Sequence, residues 1–323
     1  MAAAKSRDTV SVELSAVIVA ALPETPRVLT VRAGRAGEIG LPSGPLGRRH
    51  RTLEAGLRVW VREQTGYDLG YVEQLYTFGD HNRLSPRGGP SRALSTGYLA
   101  LVGEARPAAE GAAAWRGWYE HFPWEDWRDG RPAVLERVEA ALARWLGRAA
   151  ATPERERRQA RRAAAFGLDG ANWDEERVLE RYELLYEAGL VAEAHRDGPP
   201  PGALPPTAAI VEGARMLADH RRILATAIAR LRGKIKYRPL VFELMPKTFT
   251  FLQLQQTVEG LAGRRLHKPN FRRLVEQQGL VEETGALAYE TGGRPARLLR
   301  FRAAALLERP APGIRLPRSK VAD

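Results

Sequence analysis

Lys268, Asn270, Arg272 and Arg273 crowd into the segment HKPNFRR, with Phe271, Leu274 and Val275 set between and after them. On a helix this spacing turns the apolar residues to one face and leaves the cations and the amide on the other. Such a face can neutralise phosphates, and Arg and Asn can also read guanine and adenine edges. The surrounding charge favours a polyanion. From His220 to Arg302 there are 17 Lys+Arg and 6 Asp+Glu, a surplus of 11, and the whole chain carries only +12. A basic helical domain with a solvated face would show the same charge, so the order of the elements has to decide.

That order is specific. Thr250 can cap a helix over 251–261, with Leu252, Leu254, Val258 and Leu261 as its apolar positions. Gly263 ends it, and Arg264 and Arg265 make a short basic turn. Pro269 suits the first turn of a second helix, 269–278, which Gly279 stops. Two strand-like runs follow, 280–289 and 296–302, around a Gly-Gly-Arg-Pro turn. Helix, turn, basic helix and hairpin is the order of a winged helix-turn-helix, whose second helix enters the major groove.

A second candidate group lies in the N-terminal half. Asp80-His81-Asn82-Arg83 is a charged turn between a strand at 71–79 and a polar, Gly-rich loop. It suits a ligand rim, and equally an ordinary Asp-capped turn. The elements around it read as a strand at 10–21, a returning strand at 27–32, loop over 34–40 and a Gly/Pro-rich approach over 41–47. Thr52 can cap a helix over 53–65 that stops at Gly66, and 93–102 is another strand.

Hairpin, Gly/Pro loop, helix ending in Arg62-Glu63-Gln64-Thr65-Gly66-Tyr67, strand and strand resembles the Nudix domain. The Nudix signature is G-x5-E-x7-R-E-U-x-E-E-x-G-U. Aligned on Gly66, Glu63 fills the first place of the Glu-Glu pair and Gln64 the second. Val59 and Trp60 stand where Arg and Glu belong, Arg51 at the upstream Glu, and Pro45 at the first Gly. In active members these carboxylates bind a divalent metal that bridges a pyrophosphate. One carboxylate is left here, so the expectation is a non-enzymatic domain with no catalytic residue, no metal ligand and no required cofactor. The cleft can still hold a nucleoside diphosphate, with Arg48, Arg49, Arg51 and Arg62 supplying positive charge beside Glu63, Asp80 and Arg83. The alternative is a Nudix pyrophosphohydrolase acting on ADP-ribose or a related nucleoside diphosphate.

Five tryptophans follow, Trp115, Trp118, Trp124, Trp127 and Trp145, suited to stacking an adenine or to a core. Helices are expected over 132–146, 153–165, 173–194 (with Asn172 as cap) and 207–232. The stretch GPPPGALPP at 198–206 reads as a linker. The Pro-rich, basic residues 309–323 read as a disordered tail. There is no cysteine, which removes disulfides, thiolate nucleophiles and Cys-based zinc sites. The six histidines show no metal-ligand spacing. No signal peptide or membrane span is read, so a cytoplasmic protein is expected. RNA-type aromatic platforms are not seen.

Taken together the chain resembles the Nudix-related transcriptional regulators of NAD metabolism, the NrtR family. The resemblance is closest in HRRILATAIARLRGKIKYRPLVFELMP, FTFLQLQQTVEGLAG, HKPNFRR and GGRPARLLRFR. Residues 147–206 go beyond the compact family pattern and look like its longer proteobacterial branch. The resemblance implies a mixed α+β fold: a Nudix-like α/β/α sandwich over 1–150, a helical insertion and linker over 151–206, and a winged helix-turn-helix over 207–308. It implies a homodimer that represses genes of NAD synthesis or salvage by binding a palindromic operator in double-stranded DNA, with ADP-ribose or NAD as effector. It places Lys268, Asn270, Arg272 and Arg273 on the recognition helix and Arg294 and Arg297 on the wing.

Overall fold

The computed structural model describes residues 10–22, 25–34, 37–80, 92–103, 105, 113–208, 211–289, 295–305 and 314. Among them a seven-stranded mixed sheet organises the N-terminal half. Its path runs β3 (Glu38–Gly40), β2 (Thr25–Ala33), β1 (Val10–Leu22), β6 (Arg92–Val102) and β5 (Val72–Phe78). β4 (Ser43–Pro45) pairs with β1, and β7 (Ala113–Gly117) pairs with β2. β1 and β2 form the expected antiparallel hairpin, while β1 runs parallel to β6.

β1 shows why the sheet is a middle layer. Side chains alternate across a strand. Leu14, Ala16 and Ile18 pack with Leu57 and Val61 of α1 (Leu53–Thr65), while Val17 and Val19 join the core on the opposite face. A strand buried on both faces reads as a nearly continuous apolar run. Thr52 caps α1 by accepting from the Ala55 N–H at 3.0 Å, and Gly66 closes it, both as the sequence indicates.

The opposite face is covered by α2 (Trp118–His121), α3 (Val134–Gly147), α4 (Thr152–Phe166), α5 (Val178–Glu187), α6 (Ala192–Arg196) and α7 (His220–Lys234), which share one core. Trp118, Trp124 and Trp145 are fully buried there, so these three serve packing. The single helix expected over 173–194 is two helices. Gly189 adopts a left-handed conformation between them, and the backbone turns so that Leu204 N–H reaches Ala188 O at 2.9 Å. Asn172 caps neither piece.

The helix expected over 207–232 starts only at His220. Before it, the chain is bonded to other elements: Ala214 N–H donates to Glu120 O at 2.8 Å and Leu217 N–H to Ile39 O at 2.8 Å. α7 then lies against the sheet, α5 and the winged helix. His220, buried at its start, accepts the Leu41 N–H on Nδ1 at 2.9 Å. Burial, with Arg196 nearby, lowers the His220 pKa to about 4.

The C-terminal unit contains α8 (Phe251–Ala262), α9 (Lys268–Gln278) and the hairpin β8 (Val281–Ala288) with β9 (Ala296–Phe301). The tail is not wholly free of the body. Ile314 is buried and its N–H donates to Ile235 O at 2.9 Å. No helix among the described residues is long and apolar enough to cross a membrane.

Candidate nucleic-acid interface and ligand cleft

Local chemistry builds the C-terminal unit. Thr250 and Gln253 form a capping box: Gln253 N–H donates to Thr250 Oγ1 at 3.2 Å, and Thr250 N–H donates to Gln253 Oε1 at 2.8 Å. Gly263 and Gly279 close α8 and α9, and Pro269 stands in the first turn of α9. Phe271 and Val275 are buried, while Lys268, Asn270, Arg272 and Arg273 are exposed, as the spacing requires. Leu252 departs from expectation. It points outward, 51% exposed, because the inner face of α8 is filled by Leu254, Val258 and Leu261.

A groove between α9 and the wing is lined by Phe251, Leu252, Lys268, Arg272, Leu287 and Arg297. Arg272 lies with its guanidinium 5.1 Å from the Phe251 ring centre and pairs with Glu276 at 2.9 Å. Arg297 pairs with Glu283 at 2.6 Å and Arg300 with Glu282 at 2.6 Å. These pairs are exposed, so a phosphate can replace the carboxylate at small cost. Arg294 lies outside the described residues. The basic turn has a different use. Arg264 faces Glu175 at 3.6 Å, and Arg265 faces Glu259 at 3.2 Å and Asp129 at 3.6 Å.

In the N-terminal half, Trp60 and Gln64 of α1 both turn toward β4. Trp60 donates its indole N–H to Pro45 O at 3.0 Å and lies on Gly44, where a Cβ would sit 2.3 Å from the ring. His50 meets Trp60 edge-on at 6.2 Å. Gln64 grips the backbone of Ser43 twice: Ser43 N–H donates to Oε1 at 3.0 Å, and Nε2 donates to Ser43 O at 2.6 Å. An indole and a neutral amide therefore clamp α1 to β4. A donor set of this kind does not fit a divalent ion.

Of the remaining candidates, Arg48 and Arg49 are exposed on the loop before α1, and Glu63 is exposed on α1. Arg62 pairs with Asp68 across the end of the helix, with both side chains largely in solvent. The Asp80 carboxylate pairs with Arg222 of α7, which also meets Glu183 at 2.6 Å and Asp219 at 3.3 Å. Arg83 lies outside the described residues. A further groove of about 880 Å³ opens at the C-terminal end of α1, between Tyr67, Asp68 and Tyr71 on one side and Met245 and Lys247 on the other. The long-range pairs of Arg222 with Asp80 and Glu183 and the packing of Trp60 on Gly44 were not visible in the sequence, because nothing local names their partners.

Comparison with known proteins agrees with this architecture. Residues 241–301 match the family described as the NrtR DNA-binding winged helix domain. The ADPR responsive transcriptional repressor NtrR of Acinetobacter baylyi is 43% identical over 83 residues, 26% of this chain; the match spans a third of that relative's length. The crystal structure of Shewanella oneidensis NrtR complexed with a 27mer DNA has a similar fold, with a TM-score of 0.55 at 19% identity, covering 91% of this chain and 94% of that one. A MutT/nudix family protein from Enterococcus faecalis matches with a TM-score of 0.51 at 16% identity, covering 93% of this chain and 89% of that one. The chain thus resembles the NrtR family: its C-terminal segment matches the family's DNA-binding winged helix domain, and its overall fold is similar to that of an NrtR and of a MutT/nudix family protein.

Proposed function

We propose that this chain is a transcriptional repressor that binds double-stranded DNA through its winged helix and senses a nucleotide, ADP-ribose or NAD, through its Nudix-fold domain. The observation that carries this reading is the exposed cationic face of α9 and β9 on a segment that matches a DNA-binding winged helix. The Acinetobacter baylyi relative is named as ADPR responsive, and the Shewanella oneidensis neighbour was crystallised with DNA. Two subunits would place their α9 helices about 34 Å apart on a palindromic operator upstream of genes of NAD synthesis or salvage. Lys268, Asn270, Arg272 and Arg273 would contact phosphates and base edges, with Arg294 and Arg297 on the flanking backbone. Arg48, Arg49, Arg62, Glu63, Asp80 and Arg83 would line the effector cleft. To regulate, the effector must bind the DNA-competent and DNA-incompetent states with different affinity.

The domain is proposed to bind without hydrolysing, since Trp60 and Gln64 occupy the box positions of metal-binding carboxylates. A gel-shift on upstream regions of NAD-synthesis and salvage genes, with and without ADP-ribose and NAD, tests the whole reading. A specific shift altered by one nucleotide is expected. No specific shift, together with magnesium-dependent release of AMP from ADP-ribose, overturns it in favour of a hydrolase.

A further inference from the structure

One group of buried charges among the described residues lies outside both candidate sites, at the C-terminal end of α8. Glu125 accepts from Arg181 at 2.5 and 2.8 Å and from Arg232 at 2.6 Å, and all three side chains are essentially without solvent. Two guanidinium groups against one carboxylate need further acceptors when desolvated. Arg181 finds them in Ala165 O and Asp174 O, each at 2.9 Å. Arg232 finds them in Glu175 O at 2.9 Å and in Leu261 O of α8 at 2.9 Å.

The last carbonyls of a helix have no partner within it. At the end of α8 three carbonyls take donors from outside the winged helix. Leu261 O accepts from Arg232, Gly260 O from the Tyr119 hydroxyl at 2.7 Å, and Gly263 O from the Trp127 N–H at 2.7 Å. Arg232 and the Tyr119 hydroxyl also touch, at 3.2 Å. The approach is close enough that a Cβ on Gly263 would lie 2.4 Å from Glu125 O. Beyond this point buried Glu259 fixes the turn, accepting from Leu266 N–H at 2.8 Å and Gln255 Nε2 at 2.8 Å. α9 therefore leaves a turn whose base is held by α7 and by Tyr119 and Trp127.

Resting on the DNA-binding reading above, we propose that Arg232 and Tyr119 are positioning residues for DNA recognition. By gripping the terminal carbonyls of α8 they set the direction in which α9 is presented to the duplex. α7 is the strut: Arg232 lies near one end, and at the other His220 holds Leu41, two residues before the Ser43 backbone that Gln64 clamps. A purely structural grip would alter stability, or all binding alike. A positioning grip alters the discrimination between duplexes.

The test uses the full chain with Tyr119→Phe and Arg232→Lys. Tyr119→Phe deletes one hydroxyl and keeps the ring. Arg232→Lys keeps a cation beside Glu125 and loses the fork that also reaches Leu261 O. Affinity is measured for a duplex selected from a random-sequence pool by the wild type, and for the unselected pool, alongside the thermal midpoint. A misaimed α9 that forfeits one hydrogen bond to the duplex predicts about fivefold weaker binding of the selected duplex by Tyr119→Phe. Arg232→Lys should lose about tenfold or more. Binding of the unselected pool should hold, and the midpoint of Tyr119→Phe should fall by no more than the few degrees that one hydrogen bond is worth. Equal losses on both duplexes, or no loss by Tyr119→Phe, overturn the inference. If Arg232→Lys fails to fold, Tyr119→Phe alone decides. A wild type that enriches no duplex overturns the regulator reading itself, and this inference with it.

Discussion

The cations of α7 and those of α9 and β9 are equally prominent in the sequence and opposite in use. Along α7, Arg221 pairs with Glu193, Arg222 with Asp80, Arg230 and Lys234 with Glu73, and Arg232 with Glu125. Every one of these carboxylates comes from earlier in the chain, and the pairs of Arg221 and Arg232 are buried. On the reading head, Arg272, Arg297 and Arg300 pair with Glu276, Glu283 and Glu282 of the same unit, in solvent. The surplus of 11 positive charges between His220 and Arg302 is therefore not one positive field. Part of it ties α7 to earlier elements of the chain, and only the exposed part can exchange carboxylate for phosphate.

The sharpest break of this comparison is at Glu125. Glu125→Gln leaves two buried guanidinium groups without their shared anion, and a loss of about 3–5 kcal/mol in unfolding free energy is expected. Urea denaturation measures it. A loss no larger than that of an exposed pair would mean the α7 set is not structural glue.

His220 extends the comparison to pH. Its folded pKa, about 4, lies below the unfolded value, so the unfolded chain binds more protons between about pH 4 and 6.5. Stability from this group is fully present above about pH 6.5 and falls as the pH drops toward 4, by on the order of 3 kcal/mol. His220→Gln keeps an acceptor for the Leu41 N–H and removes the titration. Its stability should be flatter across that window, and an unchanged slope would assign the acid loss elsewhere.

What the sequence makes legible divides along the same line. α1 and α9 are readable almost to the residue because their signals are local: Thr52 and Gly66 in one, Pro269 and Gly279 in the other. The exposed face of α9 follows from the same helical period that buries Phe271 and Val275. Three-residue strands such as β3 and β4 carry no such signal and exist only through pairing with β2 and β1. The onset of α7 at His220 is set by bonds to Ile39 and Glu120, far away in sequence. The ligand group is the least legible. The partner of Asp80, Arg222, lies far along the chain, and Trp60 reads as a lost glutamate until it is seen lying on Gly44.

On the reading head the expected effects move from stability to binding. Arg273 is exposed on α9, so Arg273→Ala should leave the denaturation midpoint in place. If Arg273 reads a base, the selected duplex loses about 1–3 kcal/mol while the unselected pool is spared. If it holds a phosphate, both lose alike and the slope of log affinity against log salt falls by about 1. A salt titration on both duplexes separates these outcomes, and no change in either would remove Arg273 from the interface.

The smallest effect is the most discriminating. Glu276 and Arg272 are both about half exposed, at 51% and 58%, so Glu276→Gln should change stability by about half a kcal/mol or less. If Arg272 trades this carboxylate for a phosphate on binding, the wild type must break the pair first. Removing that competition, and one negative charge facing the duplex, should tighten both the selected and the unselected duplex by about twofold or more. Tightening on both would establish that the exposed pairs are placeholders for phosphate, the property that separates them from the pairs of α7. Weaker binding confined to the selected duplex would mean that Glu276 itself reads a base, since a carboxylate can accept from the cytosine amino group. In that event the acidic residues of the reading head belong to its specificity and not to its resting state.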